Sequence, residues 1–149
     1  MNSAMTTIFF VEDDTVVVQV YRAKFVREGF AVEVAEDGLV AVKMLAAVKP
    51  DVVVLDLMMP KLNGVDVLRY IRSTPALKET PVIILSNAHM TRLGQEAAAI
   101  GAERALLKSS CTPSQLIDVI NDLLSGKAAG SDPSKRLAVP ALPPTKPQS

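Results

Sequence analysis

Apolar runs of strand length alternate with helix-length segments along the first 126 residues. The runs are Thr6 to Val11, Phe30 to Ala35, Asp51 to Leu55, Pro81 to Leu85 and Ala102 to Leu107. Five such runs, each followed by a segment long enough for a helix, point to right-handed crossovers between parallel strands whose faces are both covered. The pattern predicts an α/β fold, a doubly wound five-stranded parallel sheet.

Local punctuation agrees with this reading. Gly29 follows the first helical segment and Gly101 the fourth, where a left-handed terminal residue is favoured. Thr112-Pro113-Ser114-Gln115 offers an N-cap, a proline at the first helical position and a capping-box glutamine. The stretch Thr15-Val16-Val17-Val18-Gln19-Val20 is β-branched enough for a strand, yet Val17, Val20, Tyr21 and Phe25 recur at helical spacing before Gly29. A crossover is required between the first two parallel strands, so this stretch is predicted to be a helix.

Near Gly126 the composition changes. Residues 127–149 hold Pro133, Pro140, Pro143, Pro144 and Pro147, five of the ten prolines, and too little apolar surface to offset the entropy of ordering. Residues 1–126 are therefore read as one domain, and 127–149 as a disordered, proline-rich basic tail. A chain of 149 residues is expected to leave almost no room for a second catalytic domain or a DNA-binding output domain, although a proline-rich tail could equally be a linker to one.

The chain carries 16 basic and 16 acidic residues, and this neutrality hides a division. Lys127, Lys135, Arg136 and Lys146 against Asp132 make the tail net +3, and the other 12 basic and 15 acidic groups make the domain −3. Without a net positive field, direct binding to nucleic acid or to an anionic membrane surface is not expected. Trp is absent, with Tyr 2 and Phe 4, so base stacking is not expected either. A lone Cys111 rules out an internal disulfide and any Cys-based zinc site, and fits a reducing, cytoplasmic setting. The opening residues lack an export signal, and no apolar run approaches the roughly 20 residues of a membrane span.

Ligands of open parallel sheets bind beyond the carboxyl ends of the strands. Polar residues converge there: Glu12, Asp13 and Asp14 after the first strand, Asp56 after the third, Ser86 after the fourth and Lys108 after the fifth. Any one of them alone is most simply a turn residue, a cap or a solvated charge. Together they make a coherent set. Carboxylates from adjacent strand ends repel unless a hard divalent cation intervenes, and Mg²⁺ is the natural candidate. A magnesium ion held by few carboxylates keeps positions for a phosphoryl oxygen, while a lysine and a hydroxyl can hold other oxygens, which suits phosphoryl transfer onto a carboxylate. Asp56 is the best nucleophile, being central between the acids and the Ser86 and Lys108 pair.

The strand-end acids of Phe9-Phe10-Val11-Glu12-Asp13-Asp14, the stretch Asp56-Leu57-Met58-Met59-Pro60-Lys61-Leu62-Asn63-Gly64, Leu85-Ser86, Leu107-Lys108 and Lys49-Pro50-Asp51 resemble the receiver domain of two-component response regulators, in the chemotaxis-like form. The resemblance covers about Thr6 to Gly126. It implies a flavodoxin-like fold with strand order 2-1-3-4-5 and a switch that accepts a phosphoryl group on Asp56 from a histidine kinase or phosphotransfer protein. Asp13, Asp56 and the Met58 backbone carbonyl would ligate Mg²⁺ directly and Glu12 through water, with Ser86 and Lys108 contacting the phosphoryl group. Asp14 would be a helix N-terminal residue, and Gly64 would permit a backbone turn at the mouth of the site. Such a domain is not an enzyme acting on a separate substrate. It catalyses only its own aspartyl phosphorylation and dephosphorylation, and signals by protein contact through the face of the fourth helix, fifth strand and fifth helix. The small apolar run Ala97-Ala98-Ala99-Ile100 on the fourth helix is compatible with partner contacts or a weak homodimer as well as with core packing.

Three positions depart from the family pattern. Ala105 replaces the usual aromatic, so aromatic gating is absent there, Ser109 replaces the proline after the lysine, and Asn87 stands where a small residue is common. A non-proline cis bond costs about 2.5–4 kcal/mol, so a trans Lys108 loop is favoured. These changes fall in the signalling half of the site and imply altered switching with intact chemistry. His89 and Met90 lie in the loop beyond Ser86, the histidine read as solvated. The alternatives are a phosphorylation-independent interaction module and a Mg²⁺-dependent haloacid-dehalogenase-like phosphatase. The latter would need an Asp-x-Asp pattern where the chain has Glu12-Asp13-Asp14.

Overall fold

The computed structural model describes residues 5–59, 61–87 and 92–128. Its strands are β1 (Thr7–Val11), β2 (Ala31–Ala35), β3 (Val52–Leu55), β4 (Val82–Ser86) and β5 (Arg104–Leu107), all parallel, in the order β2-β1-β3-β4-β5. Helices α1 (Thr15–Arg27), α2 (Gly38–Val48), α3 (Gly64–Ser73), α4 (Arg92–Ile100) and α5 (Pro113–Ala128) alternate with them, and a 3₁₀ turn spans Lys108–Ser110. The predicted architecture and strand order are those observed.

Side chains alternate across the pleat and build two cores. Phe9, Val11, Val53 and Leu55 face one side, where Leu45, Leu68 and Ile71 of α2 and α3 cover them. Ile8, Phe10, Val52, Val54, Ile83 and Leu85 face the other, under Tyr21 and Phe25 of α1 and Leu116, Ile117 and Ile120 of α5. Coverage of both faces explains why β1, β3 and β4 read as unbroken apolar runs.

The valine-rich segment is helical, as the crossover argument required. Its β-branched start is held by Asp14, whose Oδ1 accepts from the Val16 and Val17 amides at 2.9 and 3.3 Å, a cap of the kind worth about 1 kcal/mol. Tyr21 and Phe25, one turn apart, bury its inner face. Gly29 (φ 94°) and Gly101 (φ 116°) take the left-handed conformation expected at helix ends. Thr112 and Gln115 form the reciprocal capping box, with the Thr112 amide donating to Gln115 Oε1 at 2.8 Å and the Gln115 amide donating to Thr112 Oγ1 at 3.1 Å.

The first four strands begin one residue later than the apolar runs that predicted them, and two other bounds differ as well. β5 begins at Arg104 rather than Ala102, because the Gly101 and Ala102 amides are spent on the Ala97 carbonyl at the end of α4. Helix α5 continues to Ala128, past the composition change at Gly126. The remainder of the proline-rich segment, with Pro60, His89 and Met90, lies outside the described residues.

Candidate functional site

Register brings the site together. Val11 pairs with Leu55, so Glu12 and Asp56 emerge side by side from β1 and β3, and the Asp56 amide donates to the Val11 carbonyl at 3.0 Å. Ser86 pairs with Leu107, which puts Lys108 one residue beyond β5 at the same edge. A cleft of about 330 Å³ opens there, lined by Glu12, Asp13, Asp14, Asp56, Met58, Asn87 and Lys108. Ser86 is buried at the end of β4 and is not among the lining residues; Asn87 stands at the mouth in its place.

Within the cleft Lys108 bridges two acids. Its Nζ lies 2.7 Å from Glu12 Oε1 and 3.5 Å from Asp56 Oδ2. Glu12 Oε2 accepts from the Asp14 amide at 3.0 Å, and Asp56 Oδ1 accepts from the Met58 amide at 3.3 Å. Burial pushes the Glu12 carboxyl above the ordinary carboxylate range despite the opposing pull of Lys108 and the Asp14 amide. Burial likewise raises Asp56 against the charge of Lys108. For Lys108, burial works against its charge, but the contact with Glu12 and the charge of Asp56 outweigh it and leave the ammonium above its usual value.

The cluster fits a hard cation. Oxygens of Glu12, Asp13 and Asp56 all lie within 4.8 Å of one another, and among the described residues no histidine or cysteine joins the cluster. Glu12 Oε1 is out of solvent and accepts no aligned hydrogen bond, so its contact with Lys108 is an ion pair that leaves a lone pair to be satisfied. Asp14 is excluded from the set, because its carboxylate is committed to the α1 amides.

The backbone around Asp56 is tightly seated. A Cβ on Gly64 would collide with the Asp56 carbonyl oxygen and press on Leu57, so glycine is needed there for close approach. Gly38, which the sequence reading passed over, is as constrained: a Cβ would collide with the Leu62 carbonyl. Its neighbour Asp37 caps α2 by accepting from the Val40 amide at 2.9 Å and pairs with Lys61 Nζ at 3.5 Å, tying the β3 to α3 loop to the start of α2. The signal was present as an Asp-Gly step before an apolar helical stretch. Lys61 itself is left-handed (φ 72°).

Of the departures, Ala105 packs partly buried against the core on the α2 to α4 side. No cis peptide occurs among the described residues, so Lys108-Ser109 is trans, and a 3₁₀ turn follows the lysine.

The family model for the response regulator receiver domain matches residues 8–121. The response regulator MprA of Mycobacterium ulcerans is 40% identical over 79 residues, 53% of this chain, which spans about a third (33%) of that relative's length. Among solved structures, the receiver domain of the Francisella response regulator 1452 superposes with a TM-score of 0.74 at 31% identity, over 82% of this chain and 98% of that one. The receiver domain of a sensor histidine kinase from Pseudomonas aeruginosa, solved with a magnesium ion in its active site cleft, shares the fold at 23% identity and a TM-score of 0.74, over 82% and 99% of the two chains. The fold, the strand-end residues and these matches together show that the chain belongs to the response regulator receiver domain family.

Proposed function

We propose that the chain is a phosphorylation-driven switch in which Asp56 is the phosphoacceptor. The observation that carries this reading is the placement of Lys108 Nζ between Glu12 and Asp56 at 2.7 and 3.5 Å, beside Asp13, at the sheet edge where four strand ends meet. A magnesium ion held by Asp13, Asp56, the Met58 carbonyl and, through water, Glu12 would supply positive charge against the phosphoryl oxygens.

The chain's own groups do the rest. An Asp56 carboxylate oxygen attacks phosphorus as the bond from phosphorus to the donor nitrogen of a phosphohistidine breaks, and that nitrogen leaves with the electron pair as part of a neutral imidazole whose other ring nitrogen carries the proton. Lys108 is already charged and already desolvated, so it meets the roughly −1.5 to −2 charge of the new group without reorganising. Ser86, buried at the end of β4, takes a phosphoryl oxygen only if the β4 to α4 segment moves toward the site. That movement would carry the signal to the face of α4, β5 and α5, where a downstream protein binds.

A histidine kinase or phosphotransfer protein is the donor partner in this reading, and the setting is cytoplasmic; no helix among the described residues is long and apolar enough to cross a membrane. The proline-rich segment of residues 127–149, whose first two residues complete α5, acts as a passive tether beyond the domain. Ala105 and the trans Lys108-Ser109 bond support switching that differs from aromatic gating. The test is incubation with Mg²⁺ and a small phosphodonor, followed by intact mass of the wild type and of Asp56→Asn. One added phosphate on the wild type alone supports the reading. No addition, with a working donor control, favours a phosphorylation-independent interaction module.

A further inference from the structure

Lys108 opens a turn that has little to hold it. The 3₁₀ turn Lys108–Ser110 has no side-chain cap, and its closing hydrogen bond, from the Cys111 amide to the Lys108 carbonyl, is stretched to 3.5 Å. A second tie comes from across the chain. The Tyr21 hydroxyl of α1 donates to the Cys111 carbonyl at 2.6 Å, a short bond spanning 90 residues.

Tyr21 is well placed to be a rigid post. It is 7% exposed, and its ring packs against Phe10 (centroids 5.7 Å apart) and Phe25 (6.1 Å). Phe10 and Glu12 are two residues apart on the same strand run, and Glu12 is the acid that Lys108 meets at 2.7 Å. One aromatic therefore touches both the β1 side of the site and the backbone from which Lys108 reaches. Burial raises the Tyr21 phenol above its ordinary value, so it stays a donor across the neutral range.

We infer that Tyr21 is a positioning residue for Lys108: its hydrogen bond to the Cys111 carbonyl holds the turn so that Nζ meets Glu12 and Asp56. The inference rests on the reading of Asp56 as phosphoacceptor only for its kinetic test. Tyr21→Phe keeps the ring and removes the tie, and is expected to slow phosphorylation from a small phosphodonor by about two- to tenfold, the scale of one hydrogen bond.

A purely structural loss would slow transfer whether or not Lys108 is present. In a Lys108→Ala background, Tyr21→Phe should therefore add nothing. Lys108 is shielded in the fold, its side chain 13% exposed, so labelling with an amine-reactive reagent, read by peptide mass, should rise severalfold at Lys108 in Tyr21→Phe while the other lysines are unchanged. This readout needs no phosphoryl transfer and decides the matter where Lys108→Ala reacts too slowly to time. Equal slowing in both backgrounds, or unaltered Lys108 labelling, overturns the inference. A wild type that takes no phosphate, with Lys108 labelling raised in Tyr21→Phe, would instead remove the proposed function and leave Tyr21 as the post for Lys108.

Discussion

Lys108 Nζ sits closer to Glu12 Oε1, at 2.7 Å, than to Asp56 Oδ2, at 3.5 Å. The lysine therefore rests on the acid that does not react and shares its charge with the one that does. Because it neutralises two of the three carboxylates that would hold a cation, it competes with that cation. Lys108→Ala is expected to tighten Mg²⁺ binding roughly fivefold, the scale of a repulsion of about 1 kcal/mol between charges several ångströms apart. Isothermal titration of both proteins with Mg²⁺ checks this. The same variant should retain some phosphorylation and lose coupling to partner binding, and unchanged coupling would show that the lysine does not transmit.

The acid cluster also makes stability depend on pH in a definite direction. Burial raises Glu12 and Asp56 in the folded chain, whereas in the unfolded chain they return to about 4. Below that value both states are protonated and the two groups contribute nothing. As pH rises past it the unfolded chain releases these protons first, so stability falls until the raised folded values are passed. Asp56→Asn cannot ionise and escapes its share. At pH 7 without Mg²⁺ it should melt above the wild type, with the gap closing toward pH 4 and shrinking when Mg²⁺ is added. A lower melting temperature for Asp56→Asn at pH 7 would contradict this. Lys108 behaves oppositely: its value is raised, so its contribution holds below about 10.5 and is lost only above that.

Gly38 touches none of the reacting groups, yet its backbone lies against the Leu62 carbonyl in the loop that leads from Asp56 to α3. Gly38→Ala forces that loop outward. The expected cost is about 1–3 kcal/mol of stability and, through displacement of the Met58 region, about a tenfold weaker Mg²⁺ affinity. Chemical denaturation and metal titration measure the two effects separately. A variant of wild-type stability and affinity would show that the loop yields freely.

At the opposite end of the sheet, Arg72 is a purely structural hub. Its guanidinium donates to the Lys78, Thr80 and Gly101 carbonyls at 3.2, 2.7 and 2.9 Å and to Glu103 Oε1 at 2.9 Å, and that oxygen also accepts from the Val82 amide at 2.7 Å. One ion pair thus fastens the end of α3, the start of β4 and the turn after α4. Glu103→Gln or Arg72→Met should cost about 2–4 kcal/mol, because each strands partly buried partners. Urea denaturation gives the value, and phosphorylation at 25 °C should be unaltered while the fold persists.

Much of this was legible in the amino acids because the relevant signals are local. Unbroken apolar runs mark buried parallel strands, and a residue just past each run falls at the sheet edge whatever the details, which is why the amino acids alone group Glu12, Asp13, Asp56 and Lys108, together with Ser86, which is buried and does not line the cleft. What stayed hidden depends on distance in sequence. Tyr21 read as an ordinary helical core position, and only packing of α1 against the β5 to α5 turn shows that its hydroxyl reaches Cys111. Arg72 and Glu103 are 31 residues apart, and nothing near either predicts the pair. Asp14 illustrates the reverse case, since a carboxylate beside two site acids turned out to be a cap fixed by its local backbone.

The central claim is that Asp56 takes the phosphoryl group. Borohydride reduces an aspartyl phosphate to homoserine, so phosphorylation with Mg²⁺ and a small phosphodonor, reduction, digestion and peptide mass will name the modified residue. The account predicts conversion at Asp56 alone, and none in Asp56→Asn. Conversion at Asp13 or Asp14 with Asp56 untouched, or no conversion anywhere beside a control receiver that reacts, would contradict it.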